Sequence, residues 1–274
     1  MTRFQPLLAL LSLIVAQPIC CTSAQERPRI TAEQLILPGE VFEVGGRQAF
    51  VLLPADSKRS SPQPWIMYAP TLLPQYPDSH EKWMHEQFLA AGVAVAGVDI
   101  GEAYGSPTHS TAIDALYSEL VNQRGFAPKP CLLGRSRGGL WVSSWAIRNP
   151  DKVAGIACIY PVFDLTTYPG LDKAAPAYGL TTAELEKQLD QLNPIRSASK
   201  LAAAKIPFVI IHGAVDKVVP LEPNSAALEA AYRAVGQQSL VNLIVIPDQG
   251  HNHWEGFFKC QELVDFAIAK AGGK

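Results

Sequence analysis

Short apolar runs alternate with segments of helical periodicity along most of this chain. Most of the runs are apolar at every position, which is typical of strands buried on both faces of a parallel sheet. The segments between them repeat apolar residues at the spacing of one helix face. The pattern predicts strands at 65–69, 93–98, 131–133, 153–159, 206–211 and 240–246, and helices at 79–91, 110–124, 137–148, 221–235 and 256–270.

The chain departs from this alternation in two places. Residues 41–53 form two β-rich runs around Gly45-Gly46, which predicts an antiparallel hairpin before the first βα unit. Residues 161–204 are rich in Pro, Tyr and Asp and contain one polar helical pattern at 181–192, which predicts an insertion after the sixth strand. We therefore expect an α/β fold with a mostly parallel sheet, helices on both faces, and an insertion that covers a site.

The first residues have the features of a secretory signal peptide over 1–24. Arg3 precedes an apolar run at 7–16, and small residues follow at 22–24. The run is too short to span a bilayer of ~30 Å, so we expect cleavage after Ala24. The mature chain, 25–274, is then a single secreted or periplasmic domain with no integral membrane segment. A buried N-terminal helix and a lipoprotein are the alternatives.

Composition and charge exclude several classes of protein. The chain has 274 residues, is 48% hydrophobic and 18% charged, and carries a formal net charge of −2. This balance excludes disordered and collagen-like chains, and it lacks the basic footprint of a nucleic-acid partner. The mature chain would keep Cys131, Cys158 and Cys260, enough for one disulfide at most, so a disulfide-stapled miniprotein is also excluded.

The candidate nucleophile lies in Gly134-Arg135-Ser136-Arg137-Gly138, between a predicted strand and a predicted helix. A G-x-S-x-G sequence in this setting forms a nucleophile elbow, a turn so sharp that only glycine fits beside the neighbouring strand and helix. The turn holds Ser136 at the carboxyl edge of the sheet, where the N–H groups of the helix favour developing negative charge. The alternative is a tight glycine turn with an incidental serine.

Two further loops follow predicted strands and reach the same edge of the sheet. The loop after 206–211 contains Asp216, and the loop after 240–246 contains His251. A serine hydroxyl needs a base to take its proton and a third group to orient that base. The order Ser136, Asp216, His251 is the one that this topology imposes, so we interpret the three residues as a catalytic triad.

Neighbouring residues leave alternatives to this assignment. His253 could serve as the base in place of His251, and Asp248 could replace Asp216 as the orienting acid. We expect His212, at the end of its strand, to hydrogen-bond the backbone. His251 and His253 have the H-x-H spacing of a metal site, but no further ligand cluster accompanies them, so we expect neither a metal nor a cofactor.

These motifs resemble those of the α/β-hydrolase superfamily. The elbow GRSRG, the acid loop HGAVDKVVP and the GHN loop are similar to the catalytic domain of the prolyl oligopeptidase group and its esterase relatives, over residues 41–270. The resemblance implies an α/β-hydrolase fold, with Ser136 as nucleophile, His251 as base and Asp216 as acid.

The resemblance also implies where the oxyanion is held, with one departure from the family pattern. The backbone N–H of Arg137 is the expected first donor. The loop Tyr68-Ala69-Pro70-Thr71 lacks the family's His-Gly pair or glycine run, and Pro70 has no N–H. The second donor is therefore either the N–H of Thr71 or the hydroxyl of Tyr68, whose alternative role is that of a packed core aromatic.

Charged and aromatic residues beside the triad favour a polar substrate. Arg135 and Arg137 flank the serine, and both are candidates for binding a polar or anionic substrate. Arg137 also resembles the arginine that follows the serine in glucuronoyl esterases, where it helps to hold the oxyanion. Glu102 and Tyr104 follow the fourth strand and are candidates for lining the acyl pocket. The alternatives are arginines that pair with acids across a helix face and a Tyr104 that packs beneath the insertion.

Together these features predict a secreted serine hydrolase. We expect a carboxylesterase or acyl esterase that works through an acyl-enzyme on a small-molecule ester, such as a polar acyl or saccharide ester. A small peptidase of the prolyl oligopeptidase type is the alternative enzyme. Such peptidases usually carry a β-propeller and anchor the peptide amine with acidic residues, and neither feature is identified in this sequence. A hydrolase-fold protein that binds a ligand without turnover is the third interpretation.

Overall fold

An eight-stranded sheet forms the centre of the molecule. The computed structural model describes residue 1 and residues 29–273, so residues 2–24 of the predicted signal peptide lie outside the described residues. The strand order is β1-β2-β4-β3-β5-β6-β7-β8, and all pairs from β4 to β8 are parallel. The strands are β1 (Gly39–Val44), β2 (Arg47–Leu52), β3 (Trp65–Ala69), β4 (Ala94–Val98), β5 (Cys131–Arg135), β6 (Gly155–Ile159), β7 (Phe208–Gly213) and β8 (Val241–Ile246).

The predicted hairpin is present at the start of the sheet. β1 and β2 pair antiparallel across Gly45 and Gly46, which both have positive φ as a tight two-residue turn requires. β2 then pairs antiparallel with β4. The predicted α/β-hydrolase architecture is therefore confirmed, with the mixed part of the sheet confined to its N-terminal side.

Helices cover both faces of the sheet. On one face, Leu116, Trp145 and Tyr232 belong to the larger apolar core, and on the other Phe88 and Val264 belong to the second. The strands β3 to β7 are buried at every position because both of their faces are covered, which explains their continuous apolar runs. The α-helices are α1 (Lys82–Ala90), α2 (Pro107–Ser118), α3 (Gly138–Arg148), α4 (Leu171–Tyr178), α5 (Thr182–Lys187), α6 (Leu189–Leu192), α7 (Ala198–Ala203), α8 (Ala227–Ala234), α9 (Glu255–Phe258) and α10 (Gln261–Ala271).

The segment between β6 and β7 contains the four short helices α4 to α7, where the sequence predicted one helix at 181–192. The predicted helix is divided at Gln188, which ends α5. Asn224, fully buried, fastens the start of this segment to the loop after β7. Its Oδ1 accepts the N–H of Phe163 (2.8 Å) and its Nδ2 donates to the carbonyl of Pro220 (2.9 Å). The insertion is thus anchored beside the loop that carries Asp216.

Two further observations concern the described residues only. Cys131, Cys158 and Cys260 are all free thiols. Among the helices of residues 29–273, none combines the length and the apolar character needed to cross a membrane.

Candidate active site

Ser136 lies in the turn between β5 and α3 with a φ of +51°. A non-glycine residue in this region of backbone space is strained, and such strain is a feature of nucleophile elbows. The flanking glycines allow the turn: a Cβ atom at Gly134 would lie 2.8 Å from the Val142 side chain, and one at Gly138 would lie 2.6 Å from the backbone nitrogen of Pro70. The missing side chain at Gly138 therefore lets the start of α3 approach the loop after β3.

The three triad residues predicted from the sequence are joined by hydrogen bonds. Ser136 Oγ lies 2.9 Å from His251 Nε2, and His251 Nδ1 lies 2.7 Å from Asp216 Oδ2. Because a carboxylate only accepts, Nδ1 carries the proton and Nε2 is left to accept the serine proton. Ser136 and His251 are partly exposed, whereas the side chain of Asp216 is fully buried.

The two loops that carry the acid and the base are held against each other. A Cβ atom at Gly213 would clash with the carbonyl group of Gln249, so glycine is needed where β7 ends. The N–H of Val215 donates to that same carbonyl at 3.0 Å. This close approach brings Asp216 within reach of His251.

Asp216 is held as an anion. Its Oδ1 accepts the backbone N–H groups of Val218 (2.9 Å) and Val219 (2.8 Å). Burial raises the pKa of Asp216, but hydrogen bonds from His212, His251 and Val219 outweigh it, and the net pKa is far below the ordinary value. The His212 contact with Asp216 is 3.6 Å, longer than a hydrogen bond, so we attribute the low pKa chiefly to His251 and the two N–H groups.

The alternatives left open by the sequence take other positions. His212 is fully buried, and its Nε2 donates to the Val219 carbonyl at 2.9 Å, the backbone contact expected of it. His253 is exposed and stacks on His80 with ring centroids 4.1 Å apart. Asp248 is also exposed, whereas Asp216 bonds His251 directly.

A cavity of about 210 Å³ opens over Ser136. Its lining is polar and aromatic, and none of the described residues that form it is Asp or Glu. The lining residues are Pro70, Tyr76, Arg135, Ser136, Arg137, Tyr160, Tyr168, Val218, His251, Asn252 and His253.

Arg135 is bound in a buried ionic network. Its Nη1 donates to Asp78 (2.6 Å) and to Glu81 (3.0 Å), and its side chain is only 5% exposed. Glu81, itself 1% exposed, has its pKa raised by burial although Arg135 opposes the rise. The substrate-binding role predicted for Arg135 is therefore not supported, because its charge is matched by two carboxylates of the protein.

Tyr160 joins this network to the base and was missed by the sequence analysis. Arg135 Nε donates to the Tyr160 hydroxyl at 3.2 Å, and the Tyr160 ring packs on the His251 ring with centroids 4.3 Å apart. Tyr160 directly follows β6 and has a φ of +34°. The rule that strand ends meet at one edge of the sheet could have identified it. Nothing in the sequence pattern marked Asp78 or Glu81.

The loop after β4 differs from the prediction. Glu102 forms an ion pair with Arg137, and neither Glu102 nor Tyr104 lines the cavity. The carbonyl of Tyr104 accepts the hydroxyl of Tyr178 in α4 at 2.8 Å, so the alternative in which Tyr104 packs beneath the insertion is the observed one. The acyl-pocket prediction for Glu102 and Tyr104 is wrong for this cavity, because the Glu102 carboxylate is paired with Arg137 and neither residue is part of the lining.

The two candidates for the second oxyanion donor are now separated. The Tyr68 hydroxyl donates to the carboxylate of Glu81 at 2.8 Å, and the side chain is 2% exposed, so Tyr68 is a buried core residue and not an oxyanion donor. Thr71 follows Pro70, which lines the cavity, and its hydroxyl donates to the Tyr68 carbonyl at 3.2 Å. The N–H of Thr71 stays the prediction for the second donor.

One group of side chains among the described residues has the spacing of metal ligands. Asp78, His80 and His253 place one ligand atom each within 4.8 Å of one another. Their geometry does not suit a metal, since the two rings are stacked at 13° and their in-plane lone pairs do not converge. Asp78 is moreover bound to Arg135.

The chain is similar to known proteins both in sequence and in fold. The sequence profile of the prolyl oligopeptidase family matches residues 115–268. No curated protein matches the sequence. Among solved structures, Est1E from Butyrivibrio proteoclasticus is similar with a TM-score of 0.64 and 17% identity, covering 85% of this chain and 99% of its own.

Two peptidases are also similar in fold. Porphyromonas gingivalis dipeptidyl peptidase 4 has a TM-score of 0.64 at 17% identity and covers 85% of this chain. A puromycin-hydrolyzing peptidase of Mycobacterium tuberculosis has a TM-score of 0.61 at 17% identity and covers 85% of this chain. This chain spans only 35% and 39% of the lengths of these two proteins. At such identities the likeness is one of fold.

Proposed function

Because the chain belongs to the prolyl oligopeptidase family, a family of serine hydrolases, we propose that it hydrolyses carboxylic esters through Ser136, His251 and Asp216. The observation that carries the proposal is the hydrogen-bonded relay from Ser136 to Asp216 under an open cavity. A chain that only bound its ligand would have no need of a strained serine aligned with a base and a buried acid.

In this proposal each member of the relay has its own step. Ser136 Oγ attacks the ester carbonyl while His251 Nε2 takes its proton, and the negative charge of Asp216 stabilises the imidazolium that forms. His251 then gives the proton to the leaving alcohol, and the acyl group remains on Ser136. A water molecule, deprotonated by His251, releases the acid and restores the serine.

The oxyanion of each tetrahedral intermediate needs donors that are already in place. The N–H of Arg137 is at the start of α3, where the helix dipole also favours negative charge. The N–H of Thr71 is the second donor in this proposal. Arg137 lines the same cavity, and its guanidinium is in an ion pair with Glu102. In this proposal it stabilises the oxyanion or binds a polar acyl group.

An ester is favoured over a peptide by the cavity lining. A free peptide amine is positively charged and needs an acidic partner, and none of the described lining residues is Asp or Glu. The tyrosines Tyr76, Tyr160 and Tyr168 suit an aromatic or polar acyl group. Est1E, of which this chain covers 99%, has been solved with ferulic acid bound.

The test compares ester and amide turnover in one set of assays. Wild-type protein and Ser136→Ala are assayed with p-nitrophenyl esters from acetyl to decanoyl, with methyl ferulate, and with aminoacyl p-nitroanilides. We expect ester turnover that is lost in Ser136→Ala, since removing a triad nucleophile leaves only ~10³–10⁴-fold catalysis over water. A fluorophosphonate probe should label Ser136 in the wild type alone.

Other outcomes have defined meanings. Amide turnover without ester turnover would establish the peptidase alternative. No turnover and no probe labelling, with ligand-dependent stabilisation, would establish the binding protein.

Secretion is a separate part of the proposal. The apolar run at 7–16 and the small residues at 22–24 support export followed by cleavage after Ala24. N-terminal sequencing of the exported protein should start at Gln25. A lipid-modified cysteine at the mature N-terminus would instead establish the lipoprotein.

A further inference from the structure

A second cavity lies directly beyond the candidate active site. Its volume is about 490 Å³, and His253 lines both this cavity and the one over Ser136. The volume is within the roughly 300–1,000 Å³ of typical ligand sites. None of Ser136, His251 and Asp216 lines it, so the triad does not explain its presence.

Four rings form part of the cavity wall. Trp83 in α1 is half-buried, and Phe258 in α9 is buried. His80 and His253 stack with centroids 4.1 Å apart, and His253 also stacks on Phe258 at 6.1 Å. These contacts place a wall of aromatic rings beside the loop that carries His251.

The charged residues of the cavity are paired with one another. Lys82 and Glu86 form an ion pair on α1 at 4.0 Å, and Lys259 and Glu255 form another across α9. The pairs cancel in formal charge, so the cavity does not select an ion. Their lysine side chains nevertheless offer hydrogen-bond donors, and their glutamate side chains offer acceptors, around the aromatic rings.

The second cavity lies near the side of His251 on which the alcohol half of an ester would bind. His251 must deliver its proton to the leaving oxygen, so the alcohol half of an ester lies on the side of His251. His253 is two residues further along the same loop and forms the boundary of the second cavity. An alcohol larger than methanol that extends past His251 therefore reaches this cavity.

We propose that the cavity bounded by His80, Trp83 and His253 is a subsite for the alcohol half of the ester, and that this alcohol is a sugar or a similar polyhydroxylated ring. The proposal rests on the proposed ester hydrolysis. A sugar places its C–H face on aromatic rings and its hydroxyls near charged donors and acceptors. A simple alkyl alcohol would remove water from the charged groups without replacing its hydrogen bonds.

The experiment compares three esters of one acid, chosen as the best acyl group in the p-nitrophenyl series. The alcohols are methanol, n-hexanol and the primary hydroxyl of a hexose. We expect the KM of the hexose ester to be about tenfold below those of the other two, because the extra binding is made by a part of the substrate remote from the reacting carbonyl.

Two variants and a matched control locate the effect. In Trp83→Ala and in His80→Ala, the ratio of KM between the methyl and hexose esters should fall about tenfold, towards one. Leu89→Ala is the control, because Leu89 is a partly buried apolar residue of the same helix that lies outside this cavity. It should keep the wild-type ratio, which separates a lost subsite from a destabilised α1.

Several results would overturn the subsite. Equal KM values for the methyl and hexose esters in the wild type would do so, as would a preference that survives both variants. A KM for the n-hexyl ester as low as that for the hexose ester would show that the cavity binds an apolar alcohol and not specifically a sugar. Each of these leaves methyl ester turnover intact, whereas failure of the proposed function removes turnover of all three esters.

Discussion

Two arginines flank Ser136, and their surroundings are opposite. Arg135 ends β5, and its side chain is 5% exposed between Asp78, Glu81 and Tyr160. Arg137 stands two residues later, and its side chain is 23% exposed in an ion pair with Glu102 at the edge of the cavity. One arginine is therefore part of the scaffold that holds the base, and the other lines the cavity in a partly exposed ion pair. The role of an arginine beside a nucleophile therefore does not follow from its residue type. It depends on how deeply the side chain is buried and on which groups it pairs with.

The largest expected effect comes from removing the buried arginine. Arg135→Met leaves the buried carboxylate of Glu81 without its counter-ion, and this should lower the free energy of unfolding by about 3–5 kcal/mol. Arg137→Met, at the exposed pair, should lower it by less than about 1 kcal/mol. Denaturant titration of both variants measures the difference. Equal losses would contradict the division into scaffold and substrate sides.

The double variant Arg135→Met with Glu81→Gln sharpens this test. If the loss comes from an unpaired buried charge, neutralising Glu81 should restore part of the stability. If it comes from lost packing of the arginine chain, the double variant should be no more stable than the single one.

The next largest expected effect is the pH dependence that the buried His85 gives to the free energy of unfolding. His85 is fully buried against Tyr68, and neither of its ring nitrogens has a hydrogen-bond partner among the described residues. Burial lowers the pKa of His85 to about 3 from an ordinary 6.5. Between these values the unfolded chain binds a proton that the folded chain does not. His85 therefore lowers the free energy of unfolding by about 1.4 kcal/mol for each pH unit of acidification.

His85→Leu should remove this dependence. The variant should lose less stability than the wild type between pH 6 and pH 4, measured by denaturant titration at each pH. If the free energy of unfolding falls equally with pH in His85→Leu and in the wild type, another group must cause the acid sensitivity.

Arg137→Met should reduce kcat/KM by about tenfold on the preferred ester, because Arg137 lines the cavity over Ser136 and is proposed to contact the oxyanion or the acyl group. The measurement is steady-state kinetics at fixed pH across the acyl series. A loss in kcat would assign the effect to the oxyanion, and a rise in KM would assign it to the acyl group. Unchanged kcat/KM on every ester would show that Arg137 contributes neither to the oxyanion nor to substrate binding.

The smallest expected effect tests Tyr160 as a positioning residue. Tyr160→Phe keeps the ring on His251 but loses the bond to Arg135, which should cost about 1 kcal/mol of stability. We expect kcat to fall with KM unchanged. Tyr232→Phe is the control, since its buried hydroxyl donates to the Ile206 carbonyl away from the site. Equal kcat in both variants would make Tyr160 a packing residue only.

The sequence predicted those features that depend on local pattern. The strands, the hairpin and the elbow follow from apolar runs and from glycines that the backbone requires, as at Gly134 and Gly138. The meeting of Ser136, Asp216 and His251 follows from the topology, since parallel strands end at one edge of the sheet. These inferences need only the order of elements along the chain.

The missed features depend on contacts between segments that share no pattern. Arg135 meets Asp78 and Glu81 across more than fifty residues of chain, and no periodicity reports that pairing. Glu102 was assigned to the acyl pocket from its strand-end position, but its ion pair with Arg137 takes it out of the lining. Strand ends therefore identify which residues come near the site, and the side-chain partners decide which of them face it.

The strand before His251 has a consequence for how the molecule loses activity. β8 is the last strand of the sheet and pairs only with β7, while β5, which leads to Ser136, is paired on both sides. Edge strands fray at lower free energy than central ones, and their amides exchange with solvent sooner. The base thus follows an edge strand of the sheet, whereas the nucleophile follows a strand that is paired on both sides. Heat or mild denaturant should separate the two by local opening while most of the fold stays intact.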